Sequence, residues 1–357
     1  MTAPAIDETR SESFAGQMVN MLNNAALALM TSIGHQIGLF DSMADQPAQT
    51  STQIAGSAGL DERYVREWLA AMVTGRIVEH DAADKTYQLP AEHSAWLTRA
   101  AGENNLAIHT QFIPILALIE AKLIECFRNG GGVPYSEYPE FQRLMAEGSG
   151  VVHDSMLAET ILPLAPGLLE RLNQGIEAAD IGCGSGHAVN LMASAFPKSR
   201  FVGYDFSAEG VQAGQDEAAS MGLSNATFEQ QDVSLIDAKR RFDLITAFDA
   251  IHDQAKPDRV LEAIHGALKP GGVFLMVDIS ASSHVHENMD LMLNSFLYTV
   301  SCMHCMTVSL ALDGAGLGAM WGEQKALEML ADAGFTNVEV ARIDGDPINN
   351  YYIAQAG

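Results

Sequence analysis

The alternation of apolar and polar positions divides the chain into three blocks, 1–98, 99–172 and 173–357, with no internal repeat. From about residue 14 the first block reads as helical and then folds back as a small hairpin. Ser51 or Thr52 can cap a short helix running through Ala58, and Gly59-Leu60 turns the chain. Asp61 can cap a second helix, on which Val65, Trp68, Leu69 and Met72 share one face at helical spacing. Gly75 ends it. Ile77-Val78 and Tyr87-Gln88-Leu89 flank the polar stretch 81–85, which predicts a β-hairpin. Helix, turn, helix and hairpin in that order is the plan of a winged helix.

The second block reads as long apolar helices around Gly130-Gly131-Gly132-Val133-Pro134-Tyr135. Three glycines interrupt any helix and Pro134 stiffens the exit. The loop that carries Tyr135 and Tyr138 can close over a ligand or serve as a surface connection. The apolar stretch 112–124 contains Pro114, Glu120 and Lys122, too short and too charged a run to span a bilayer, so a buried or interface helix is expected. The third block alternates strand and helix, with strands predicted at 176–181, 201–205, 227–231, 242–248, 273–278, 338–341 and 351–354 and helices between the first five. That alternation predicts an α/β domain with a mostly parallel sheet covered on both faces. A further helix is expected over 287–306, with Met289, Leu293, Phe296, Val300 and Met303 as its core stripe.

Composition narrows the partners. The formal net charge of −25 disfavours nucleic acid and anionic membranes and suits a neutral or cationic small ligand. Four cysteines in 357 residues are too few for a secreted disulfide framework, and the polar, acidic start lacks a signal-peptide pattern, so a cytoplasmic location is expected.

The sharpest motif is Asp180-Ile181-Gly182-Cys183-Gly184-Ser185-Gly186, between a strand and a helix. A dinucleotide fingerprint would place glycine or alanine where His187 stands. An acid beside the glycine turn repels a pyrophosphate and welcomes an ammonium or sulfonium. Asp205 follows Gly186 by 19 residues at a strand end, where a carboxylate can accept both hydroxyls of a ribose. Gln231-Asp232-Val233, the strand Phe242–Phe248 with Asp249 after it, and the turn Leu268-Lys269-Pro270-Gly271-Gly272 complete the series.

In this order and spacing the five features resemble the class I S-adenosylmethionine-dependent methyltransferases, over about 175–357. The resemblance implies a Rossmann-like seven-stranded sheet, mostly parallel with the last strand antiparallel. It implies that Gly182, Gly184 and Gly186 line the methionine and ribose side of S-adenosylmethionine, with Asp180 near its amino group. Asp205 would hold the ribose hydroxyls and Phe206 pack on the adenine. Asp232 and Val233 would meet the adenine amine and ring edge, and the Phe248 carbonyl and Asp249 face the methionine moiety. The product would be S-adenosylhomocysteine. Asp243 reads as the end of a buried strand turn.

Ile251-His252-Asp253, with Val260-Leu261-Glu262-Ala263-Ile264 and the Lys-Pro-Gly-Gly turn after it, is similar to the small-molecule O-methyltransferases. Those enzymes carry an N-terminal winged helix used for dimerisation. Their His-Asp pair implies His252 as general base, a role that suits an imidazole near neutral pH. The family's tryptophan after His-Asp is Gln254 here, and His252 could instead cap the next helix or bond the cofactor. Asp253 is not assumed to orient His252. His284 and His286 read as solvated loop histidines. Cys302-Met303-His304-Cys305 lacks a second ligand pair in sequence, so no metal site is expected.

The expected function is methyl transfer to a small-molecule acceptor, oxygen favoured over nitrogen, carbon or sulfur, by a cytoplasmic homodimer joined through helices such as 18–29. The other class to weigh is a cofactor-sensing transcriptional regulator. Its would-be recognition helix, 61–68, carries three acids against two arginines, which argues against a DNA reader.

Overall fold

The computed structural model describes residues 6–236 and 238–357. The chain forms two compact units, 1–114 and 115–357.

The first unit opens with a 29-residue helix, α1 (Glu8–Gln36), capped by Asp7. Two helices follow, α2 (Ser51–Ala58) and α3 (Glu62–Thr74). The cap of α2 is Thr50, one residue before the expected Ser51 or Thr52. Its side chain and that of Gln53 form a reciprocal capping box. Asp61 caps α3 as its sequence predicts. Val65, Trp68, Leu69 and Met72 are all buried, with Phe40 and Ile54 in the same core. Trp68 is fixed at both ends: Nε1 donates to the Met30 carbonyl at 2.8 Å, and its ring meets Phe40 edge-on at 5.2 Å.

The hairpin is present but shifted. Its strands are β1 (Glu79–Asp81) and β2 (Thr86–Gln88), not 77–78 and 87–89. The N–H groups of Ile77 and Val78 both turn back to the Met72 carbonyl, which closes α3 and removes them from the ladder. Asp81 Oδ1 accepts from the N–H groups of Ala83 and Asp84 and forms the turn.

The second unit begins with helices α4 (Glu120–Asn129) and α5 (Phe141–Met156). The α/β portion then runs β3 (Glu177–Ile181), α6 (His187–Ala195), β4 (Arg200–Asp205), α7 (Ala208–Ser220), β5 (Ala226–Gln230), β6 (Phe242–Phe248), α8 (Pro257–Ala267) and β7 (Leu268–Ile279). After β7 come α9 (Asn294–Val300), a π-helical turn (Ser301–Cys305), α10 (Met306–Leu310), α11 (Gly322–Asp332), β8 (Val338–Ile343) and β9 (Asp346–Gln355). The seven strands lie in the order β5-β4-β3-β6-β7-β9-β8. The first five are parallel, and β9 runs antiparallel to both neighbours.

Strand order reverses on either side of β3, which opens a crevice at the C-terminal ends of β3, β4 and β6. The strands read as nearly continuous apolar runs because both faces are covered. One face packs Phe274 and Met276 against Val260, Leu261 and Ile264 of α8. The other packs Leu244 and Leu275 against Val189 and Met192 of α6. No single described helix is long and apolar enough to cross a membrane.

Two expectations fail here. No helix longer than the single turn Val233–Leu235 separates β5 from β6 among the described residues. The helix expected over 287–306 begins at Asn294 instead, after a short 3₁₀ turn at Val285–Asn288. Side chains offer the backbone other partners in that stretch: Asn288 bonds Ser282 at both ends of its amide and Asn294 Nδ2 donates to the Met289 carbonyl. Met289, placed in the core by its spacing, is 68% exposed.

Candidate active site

The glycine turn joins β3 to α6. Gly182, Gly184 and Gly186 all take positive φ, between 54° and 76°. A Cβ on Gly182 would lie 2.5 Å from Ala250, and one on Gly186 would lie 2.3 Å from Phe228. At Gly184 a Cβ would meet open space. Two glycines therefore close the turn against the protein, while the middle one leaves main chain that a ligand can approach.

Asp205, at the end of β4, faces this turn. Its Oδ2 accepts from the Gly184 N–H at 2.8 Å and its Oδ1 from the Ser207 N–H at 2.8 Å. Burial raises its pKa, against those two bonds. Each oxygen keeps a lone pair for further donors, which fits a vicinal diol. Phe206 beside it is 57% exposed and offers an open ring face. Asp232 caps the turn at Val233–Leu235 through Ser234, while the Val233 side chain lies in the core and leaves only backbone for a ligand.

Asp180 differs from what its charge suggests. It is 2% exposed and its Oδ1 accepts from Thr246 Oγ1 at 2.6 Å. Burial raises its pKa to about 7. It therefore attracts a cation less than charge counting implies, and its hydrogen bond ties β3 to β6. Asp243 sits at the opposite, N-terminal end of β6, paired with Lys269 at 2.7 Å, as a strand-turn residue.

The Phe248 end of β6 leads into Asp249, a non-glycine residue at φ 51°. Its N–H donates to the Val277 carbonyl, which holds the chain in that turn. Burial, and after it the nearby Asp278 carboxylate, raise the Asp249 pKa to about 7. Three residues on, His252 is 5% exposed and its Nδ1 lies 2.9 Å from Asp278 Oδ1. Asp278, on β7, is fully buried. Burial opposes charge on His252, yet the Asp278 carboxylate and then Cys305 hold its pKa well above the ordinary value. Asp278, rather than the sequence neighbour Asp253, bonds Nδ1 and orients the ring. Gln254, where tryptophan was expected, donates to the Ala250 carbonyl at 2.8 Å and closes the turn.

Asp249, His252 and Asp278 each offer one atom within 4.8 Å of the others, the one such trio among the described residues. Two of those groups already bond each other. Cys302 and Cys305 share one helical turn and do not join them.

An aromatic wall stands opposite. Tyr135 lies edge-on to Phe141 at 5.9 Å and to Phe206 at 5.6 Å. His304 stacks on Phe141 at 3.6 Å and meets Tyr138 at 4.8 Å. Its ring is 2% exposed, and burial lowers its pKa to about 3. The loop after α4 is held to α10 closely. A Cβ on Gly132 would lie 2.0 Å from the Thr307 carbonyl oxygen, and the Val133 N–H donates to Thr307 Oγ1 at 2.8 Å. His284 and His286 are both exposed, as expected, but His286 lies in the 3₁₀ turn Val285–Asn288 rather than in a loop.

Sequence reasoning missed Asp278, and weighed His304 and Cys305 only as metal ligands. Asp278 had a signal, since it ends the strand beside β6; the other two lie on a π-turn that no simple periodicity predicts.

Residues 25–99 match the family described as the Rv2258c-like winged HTH domain, and residues 172–339 match a methyltransferase domain family. Ribosomal RNA small subunit methyltransferase C of Citrobacter koseri is 32% identical over 120 residues, 33% of this chain and 32% of that protein. The chain thus spans about a third of that relative's length. A candidate O-methyltransferase of Nostoc punctiforme shares the fold with a TM-score of 0.73 at 16% identity, over 99% of this chain and 100% of that one. Human N-acetylserotonin methyltransferase, solved with S-adenosylmethionine, gives 0.69 at 15% identity, with 100% of both chains covered. The glycine turn, the Asp205 carboxylate beside it and these two matches agree: the chain carries a methyltransferase domain preceded by a winged helix-turn-helix domain.

Proposed function

We propose that the protein transfers a methyl group to a hydroxyl of a small molecule, with His252 as general base. The observation that carries this reading is the buried His252–Asp278 pair, just past the end of β6, where Ala250 abuts Gly182 of the glycine turn. When bound, S-adenosylmethionine supplies an activated methyl group. Gly182, Gly184 and Gly186 give it room, Asp205 takes the ribose hydroxyls, and Phe206 packs on the adenine. Asp232 and the Val233 backbone meet the adenine edge. Asp180, the Phe248 carbonyl and Asp249 lie on the methionine side.

Asp278 accepts from Nδ1–H of His252 and so fixes the tautomer that leaves Nε2 free to take a proton. A raised pKa keeps the ring protonated at lower pH, so turnover rises as pH passes through that pKa. Oxygen is favoured because such an acceptor needs its proton removed, and fold neighbours include an O-methyltransferase candidate.

The remaining parts are proposed with it. The protein works in the cytoplasm as a homodimer. Phe14, Val19, Met21 and Leu22 of α1 are each more than half exposed, an apolar face that a second copy can cover. The small-molecule reading is also supported by α3, where Arg63 pairs with Glu67 and Arg66 with Glu62, leaving little net charge for phosphates.

The test is release of S-adenosylhomocysteine across a panel of phenols, catechols, carboxylic acids, amines and thiols. His252→Ala should cut kcat on a hydroxyl acceptor by about 10²–10⁴-fold with cofactor affinity unchanged. Turnover that survives in the variant removes His252 from the chemistry.

A further inference from the structure

Phe248 of β6 and Val277 of β7 are register partners, so the two acids that follow them, Asp249 and Asp278, come side by side. The Asp249 N–H bonds the Val277 carbonyl at 2.9 Å and fixes that acid in place. His252 reaches the same spot from the loop after β6. One ligand-type atom from each of the three lies within 4.8 Å of the other two. Asp278 is fully buried, and only its Oδ1 is used, by His252 Nδ1 at 2.9 Å and the Ile279 N–H at 2.8 Å. Its Oδ2 is sealed from water and bonds nothing, and the same holds for Asp249 Oδ1. Sealed carboxylate oxygens without a donor or a cation are costly, and rare for that reason.

We propose that Asp249, His252 and Asp278 bind one divalent cation of the zinc type, and that the bound cation switches the base off. The switching half rests on the base reading above; the site itself does not.

The spacing suits a metal. Ligands held at about 2.0–2.2 Å from one ion stand roughly 3–4 Å from each other. Two carboxylates balance the charge of a divalent cation, and an imidazole beside them favours zinc, cobalt or manganese over calcium and magnesium, which take oxygen alone. Three protein ligands leave a position for water. The effect on the base follows from the proton. Nδ1 carries one in its bond to Asp278, and a cation takes Nδ1 in place of that proton. A neutral ring then holds its proton on Nε2; a charged ring releases one to solvent and ends in the same state. Nε2–H cannot accept the proton of an acceptor hydroxyl. Asp278 keeps the Ile279 N–H on Oδ1 and gives Oδ2 to the ion.

The probe is Co²⁺, titrated into the full chain loaded with S-adenosylhomocysteine and followed by visible absorption and calorimetry. One equivalent should bind with a visible spectrum of nitrogen and oxygen ligands, and Zn²⁺ should displace it. Asp249→Asn keeps the shape and tolerates the positive φ; it should weaken Co²⁺ tenfold or more. Asp278→Asn should do the same, and if that buried change prevents folding the half-buried Asp249 carries the expectation alone. Changing His284 and His286 to Gln, an exposed pair with rings 6.0 Å apart, should leave binding unmoved. No Co²⁺ bound by the parent, binding untouched in a folded Asp249→Asn variant, or a thiolate charge-transfer band from Cys302 or Cys305 would overturn the site. Saturating Zn²⁺ should cut kcat as far as His252→Ala does, with recovery on chelation. Full turnover in zinc-loaded protein whose His252→Ala variant is inactive would overturn the switch. Failure of the base reading is separate: His252→Ala then keeps its turnover, while the Co²⁺ spectrum and its loss in Asp249→Asn stand.

Discussion

At the scale of single residues, the site divides into groups that act through the backbone and groups that act through side chains. Gly186 is of the first kind. Its φ of 76° and the 2.3 Å that would separate a Cβ from Phe228 leave no room for alanine. Gly186→Ala should cost roughly 1–2 kcal/mol for the left-handed backbone alone, with the clash added. Calorimetric titration should find S-adenosylmethionine binding lost or weakened at least tenfold, with a lower Tm. An unchanged affinity would place the cofactor elsewhere than this turn. His252 and Asp205 are of the second kind, and both could be found from motif and strand-end position. Asp278 could not be assigned as the partner of His252, because it lies 26 residues further on. Sequence shows chain neighbours; which carboxylate reaches an imidazole is decided by the register of two parallel strands. Asp180 teaches the converse lesson. Its charge is visible in sequence, but the burial that raises its pKa belongs to the folded sheet.

At the scale of elements, strands were more legible than the helices around the acceptor side. A parallel strand buried on both faces leaves an unbroken apolar run, as in β3, β4 and β6; all seven strands were located to within a few residues, apart from the early start of β7 and β9. The stretch from 285 to 310 mixes a 3₁₀ turn, an α-helix and a π-turn, and its apolar spacing fits no single period. Helix α6 shows what an unexpected residue can do. His187, standing where a dinucleotide fingerprint has glycine, is bonded through Nδ1 to Glu217 of α7 at 2.7 Å and through Nε2 to Asp154 of α5 at 3.0 Å. Burial works against its charge, but those two carboxylates prevail and its pKa is raised. A group raised on folding stabilises fully below its unfolded pKa, near 6.5, and the gain fades as pH rises past the folded value. His187→Gln should therefore lower Tm by roughly 1–3 °C at pH 5.5 and by less at pH 8.5. A difference that does not depend on pH would show that the three helices are joined by packing alone.

At the scale of the whole molecule, the acidic surface and the apolar face of α1 point to different partners. The net charge of −25 keeps polyanions away, whereas Leu22, 65% exposed, sits on a face that resembles an uncovered interface. Leu22→Glu should shift sedimentation from dimer toward monomer, about tenfold or more in Kd if the residue is central. A parent protein that sediments as a monomer would remove the homodimer from the proposal. One feature of the sheet has a temporal consequence. Strand β7, which carries Asp278, has β6 on one side and β9 on the other, with Asp278 opposite Asn350. Strand β9 is made some seventy residues later, after β8, and inserts between the two. A ribosome that has finished β7 therefore carries both His252 and Asp278 on a sheet whose β7 edge is still open. Until β9 is made, the main chain of Val273–Ile279 has no partner on that side, and an unpaired strand edge is open to pairing with another chain.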